Sequence, residues 1–102
     1  MTYIEELQDA IRRLYHTDAV YVKTVPVKEV FQDQVVWDGE VEVFDLTNSP
    51  DASRVYAWAH DTDVADEPRR TVTVLHIPPV TSPETAVRAS IVKDYREQQE
   101  KH

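Results

Sequence analysis

The chain has no cysteine, one glycine (Gly39) and one methionine among 102 residues. The missing cysteine excludes a disulfide framework, a thiolate metal site and a cysteine nucleophile together. A lone glycine leaves no glycine-rich phosphate loop. No apolar run approaches the ~20 residues that a membrane helix requires. The opening "MTYIEELQDA" is acidic and amphipathic, and lacks the basic and apolar regions of a signal peptide. The expected location is therefore cytoplasmic. Basic residues are also scarce: 11 Lys and Arg stand against 19 Asp and Glu, a formal net charge of −8. A polyanion is repelled on average, and no single basic stripe in the sequence overrides this. Nucleic acid and anionic membranes are disfavoured partners.

What is present is enough for one folded domain over residues 1–102. The hydrophobic fraction is 41%, and a chain of this size buries roughly 65% of its unfolded surface. "TYIEELQDAIRRLYH" reads as a helix, with Ile4, Leu7, Ile11 and Leu14 in one apolar stripe. Thr2 and Glu5 fit a capping box, and Arg12, Arg13 and His16 suit the negative end of the helix dipole. Four stretches with period-two character follow: residues 19–27, 35–46, 54–61 and 70–77. Pro26 marks the first as an edge strand, and Gly39 suggests a bulge or kink in the second. An alternative breaks the second stretch into a hairpin at Asp38–Gly39, leaving very short strands. "TNSPDAS" and "TDVADEP" suit hairpin loops. Ser82 and Pro83 start a second helix whose inward stripe is Val87, Ile91 and Tyr95, and "REQQEKH" frays.

The order α-β-β-β-β-α with short links predicts an α+β fold: a two-layer antiparallel meander of about four strands, with both helices on one face. Register decides the rest, since a one-residue slip flips every side chain. Keeping apolar sets together puts Val20, Val22, Val41, Val43, Val55, Ala57, Ala59, Val72 and Val74 under the helices. The open face then carries Tyr21, Lys23, Glu40, Glu42, Phe44, Tyr56, Trp58, His60, Thr71, Thr73 and Leu75. Slipping the fourth strand by one instead sets Val72, Val74 and His76 on that open face.

Aromatic rings at Phe44, Tyr56 and Trp58 on central strands point to a covered surface, because large exposed apolar patches mark interaction sites. The expected function is protein interaction or self-association, with Tyr21, Glu40, Phe44, Tyr56, Trp58 and His60 at the interface. The partner expected is a second copy, forming a homodimer through the open sheet face. The alternative is a small-molecule ligand or enzyme site on the same face. It centres on Trp58 and His60, with Tyr56 and Glu40 beside them.

Signals for chemistry are weak. His60 and His76 face opposite sides of the expected sheet, so no metal is expected. "DTDVADE" lacks the glycine and terminal glutamate of a calcium loop and reads as an acidic hairpin tip. Glu40 opposite His60, with Asp61 and Tyr56 in reach, is the nearest acid–base set, although such a pair also contributes plainly to strand pairing. Asp94 is expected in a partly buried salt bridge. No catalytic residue and no cofactor is assigned.

Helix, antiparallel sheet, helix resembles the double-stranded-RNA-binding fold in topology. The basic cluster of that family's last helix is replaced here by "SPETAVR", so RNA binding does not carry over. "RVYAWAH" followed by "RRTVTVLHIPPVTSPETAVRASI" resembles a family of short bacterial proteins with no assigned activity. That resemblance implies a compact αβ domain and supplies no site residue.

Overall fold

The computed structural model describes residues 2–50, 52–65 and 67–100. Its elements are α1 (Tyr3–Tyr15), β1 (Ala19–Phe31), β2 (Gln34–Leu46), β3 (Arg54–Val64), β4 (Glu67–Leu75) and α2 (Pro83–Glu100). The strands form one antiparallel sheet in the order β1-β2-β3-β4. The α+β class, the element order and the meander are as read from the sequence, and Pro26 does sit on an edge strand.

Both helices begin where their side chains satisfy free backbone donors. Thr2 Oγ1 accepts from the Glu5 N–H, and the Glu5 carboxylate accepts from the Thr2 N–H. This closes the capping box. Ser82 Oγ accepts from the Thr85 N–H at 3.2 Å and caps α2. α2 stays helical through Glu100. The last part of the "REQQEKH" end, Lys101 and His102, lies outside the described residues.

β1 and β2 run 13 residues each, further than their alternating pattern shows, and meet at Gln32–Asp33. Both turn residues have positive φ, 51° and 64°, as a two-residue type I′ hairpin requires. Neither is a glycine, so each left-handed conformation costs about 1 kcal/mol. The hairpin considered at Asp38–Gly39 does not form, because both residues pair within β2 against Lys28 and Val27. Nor does Gly39 mark a bulge. The register shifts fall at Tyr21/Lys23 and Glu29/Val30.

The layering differs from expectation. Residues directly opposite in an antiparallel pair share a face. Val43 stands opposite Tyr56, and Tyr56 opposite Val74; Phe44 stands opposite Val55, and Val55 opposite Leu75. Tyr56 and Trp58 therefore side with Val72 and Val74, as in the alternative register, and also with Val41 and Val43. α2 covers this face through Ala86 and Val87. α1 covers the other, placing Leu7 and Ile11 on Phe44, Leu46, Val55 and Ala57. The helices thus pack on opposite faces, giving three layers and two cores instead of two layers and one. The reason is composition: from Val41 to Phe44 and from Val55 to Trp58 the strands are buried at every position. One covered face cannot hide such runs.

Trp37 joins the α2-side core, meeting Trp58 edge to face with ring centroids 5.5 Å apart. Gly39 leaves room for it, since a Cβ there would lie 3.1 Å from Trp37 Cη2. Gly39→Ala is expected to shift the Trp37 indole off Trp58 and to cost about 1 kcal/mol. Near-UV circular dichroism reports the shift and thermal unfolding the cost. An unchanged tryptophan signal with an unchanged Tm would contradict it.

Candidate functional site

The residues expected to form one open aromatic face are divided between the two cores. Phe44 lies fully buried under α1, while Tyr56 and Trp58 lie buried under α2. Tyr21 is exposed on the β1 edge, its ring 5.9 Å from that of Phe44. Glu40 and His60 are exposed. They lie on opposite faces, because Glu40 shares the parity of Glu42 and His60 that of Trp58. The β2–β3 ladder ends at Glu42–Ala57, before reaching either residue, so the expected Glu40–His60 pair is not formed. His60 Nδ1–H instead donates to the neighbouring Asp61 carbonyl at 3.1 Å. Asp94 is exposed on α2, not partly buried. A homodimer or a ligand site on that aromatic face would need its rings accessible, and the second helix removes the face.

Three polar arrangements lie within or beside the cores. The Tyr56 hydroxyl meets His76 Nδ1 at 2.6 Å. Burial holds the Tyr56 phenol above its usual range, outweighing the nearby Arg54 and aided by Glu84. The hydroxyl and the ring nitrogen share one hydrogen bond, whose direction follows the imidazole tautomer. On the α1 side, Glu42 is only 3% exposed. Thr24 Oγ1 donates to its Oε1, and the Tyr21 hydroxyl donates to Thr24 Oγ1 at 2.6 Å. Two hydroxyls thus lead from the β1 edge to a buried carboxylate and tie β1 to β2. Tyr3 accepts the Ala59 N–H at 2.9 Å, two residues past the last β2–β3 pair. Arg69 lies 5.1 Å over its ring and pairs with Glu6 at 3.2 Å. Burial also raises the Tyr3 phenol, against the opposing pull of the Ala59 bond and Arg69.

The surface feature that stands out was not legible as a site in the sequence. The tip of the β1–β2 hairpin leans beside the C-terminal half of α2, and between them runs a groove of about 720 Å³. Val30, Phe31 and Val36 line it from the hairpin, and Ile91, Val92 and Tyr95 from the helix. Phe31 is 64% exposed and Tyr95 62%, so the expected inward stripe of α2 opens outward after Ile91. Glu29, Arg88 and Arg96 border the groove. Arg88 Nε is 2.7 Å from Glu29 Oε1, bridging helix and hairpin. The signal available was "VFQDQVV", two apolar pairs around a polar turn. Gln-Asp is not a favoured hairpin dipeptide, and the pairs break the alternation that marks strands.

Among the described residues no group of three or more His, Asp or Glu side chains gathers to hold a metal ion. No helix among them is long and apolar enough to cross a membrane. No family model matches the chain, and neither a curated protein nor a solved structure is significantly similar to it. Its class rests on the fold alone: an α+β domain with a four-stranded meander between two helices.

The raised phenols set an alkaline limit. Unfolded tyrosine ionises near pH ~10, and Tyr3 and Tyr56 keep their protons to higher pH when folded. Their contribution is therefore full below the unfolded value, and is lost as pH rises from there through the folded values. Tyr56→Phe also leaves His76 Nδ1 without its hydrogen-bond partner, at a cost of about 1 kcal/mol. Urea unfolding should show the variant less stable at neutral pH but with a shallower decline above pH ~10. Identical slopes for both proteins would refute this.

Proposed function

We propose that the chain is a protein-association module whose contact surface is the groove between the β1–β2 hairpin tip and α2. The observation that supports this is the group of large apolar side chains left in water there: Phe31 and Tyr95 with Val30, Val36 and Val92. Each would gain by burial, at roughly 25 cal/mol per Å² of apolar area. Aromatic residues in such a setting are the usual anchors of binding energy. The turn that carries Phe31 holds two residues in a left-handed conformation. Strain of this kind persists where surrounding structure imposes it, and it clusters at functional surfaces. The Arg88–Glu29 bridge fixes the spacing of the groove walls, so binding needs little reordering.

The test does not require the partner's identity. Phe31→Asp changes an exposed position, so stability should stay within about 0.5 kcal/mol of wild type. Peptides selected from a random display library against the wild-type protein should bind this variant at least ~10-fold more weakly. Selected binders that tolerate Phe31→Asp, or a library that yields none, would refute the proposal.

A further inference from the structure

The groove belongs to an acidic molecule yet carries a cationic border. Arg88 and Arg96 line it from α2. A second depression on the far side of Val92 adds Lys93 to the same two arginines. Three of the eleven basic residues therefore stand within nine positions of one helix. The carboxylates lining these two depressions are Glu29 and Glu97, so the linings carry one net positive charge, with Glu29 and Arg88 bound to each other. Outside these linings 17 acidic residues stand against 8 basic ones, which disfavours an acidic partner there and favours this strip.

We infer that the groove takes an acidic amphipathic helix of another protein, which sets its apolar stripe between Phe31 and Val92 and its carboxylates against Arg96 and the exposed side of the Arg88 guanidinium, whose Nε stays on Glu29. This rests on the association reading above and names its partner by charge and shape. The spacing fits. Arg88 and Arg96 lie eight residues apart on α2, about 12 Å along the axis. A partner helix offers carboxylates at that distance seven or eight residues apart, on the same side as apolar residues at three- and four-residue spacing. The apolar walls supply affinity, while the cations select the partner and set its direction. A second copy fits less well. A two-fold contact across α2 brings the Arg88 and Arg96 of each copy toward those of the other.

The experiment compares two fluorescent helical peptides about four turns long. They share a Leu and Phe stripe and differ in carrying Glu or Lys at every polar position. Fluorescence anisotropy should show the Glu peptide binding at least ~10-fold more tightly than the Lys peptide, with the difference shrinking as salt rises. Arg96→Glu, an exposed change, should abolish the preference, and Phe31→Asp should weaken both peptides. Equal binding, or preference for the Lys peptide, overturns the acidic partner. If Phe31→Asp still weakens both peptides, the association reading stands. Binding of neither peptide overturns the inference as well. A wild-type solution mass that doubles with concentration, and does not double for Phe31→Asp, also overturns it by giving the groove to a second copy.

Discussion

Burial of β2 on both faces is the constraint on which the rest of this fold depends. Val41, Glu42, Val43 and Phe44 are each nearly inaccessible, so each side of the strand needs its own cover. A single layer of helices cannot provide that, and α1 and α2 divide the work. Among the described residues four pairs join β2 to β3, so the backbone ladder between the two hairpins is short. Side chains reinforce it. Tyr3 takes the Ala59 N–H beyond the ladder's end, and Trp37 meets Trp58 across the same divide. Glu42 is the polar cost of a strand buried on both sides, offset by the hydroxyl of Thr24.

The same constraint produces the groove. The central pairs occupy the first turns of α2, where Ala86 and Val87 are fully buried. Past Ile91 the helix runs beside the free end of the β1–β2 hairpin, where no β3 residue among those described pairs with it. The two elements touch through Arg88 and Glu29 and leave apolar walls open on either side. Exposure at Phe31 and Tyr95 is thus a consequence of hairpin length. Extending β1 and β2 past the core gains ladder hydrogen bonds but offers the tip no core to enter.

The fold was legible in the sequence wherever one residue type had one reading. Thr2 with Glu5, Ser82 before Pro83, and the alternation in "RVYAWAH" fixed the elements and their order. Register was not legible, because Val55–Ala57–Ala59 and Tyr56–Trp58 are both apolar. Either set suits a core, and the sequence offers no polar face to break the tie. Choosing the small residues for the helix side paired β3 wrongly with β2 and β4, mixing two faces into one. The supposed aromatic site was a consequence of that slip. The hairpin tip was missed for another reason: Gln32 and Asp33 adopt a turn that their identities do not advertise. No local pattern announces that Tyr95, seemingly part of an inward stripe, faces water.

The claim that the working surface is the hairpin–helix groove, and not the sheet, is tested most directly by amide chemical-shift mapping. Isotope-labelled protein would be titrated with a peptide selected by display against the native chain. The account predicts shifts concentrated at Val30, Phe31 and Val36 and along Arg88–Arg96, with His60 and Arg70 unmoved. Shifts centred on β3 and β4 around Trp58 and His60, with the hairpin tip silent, would contradict it.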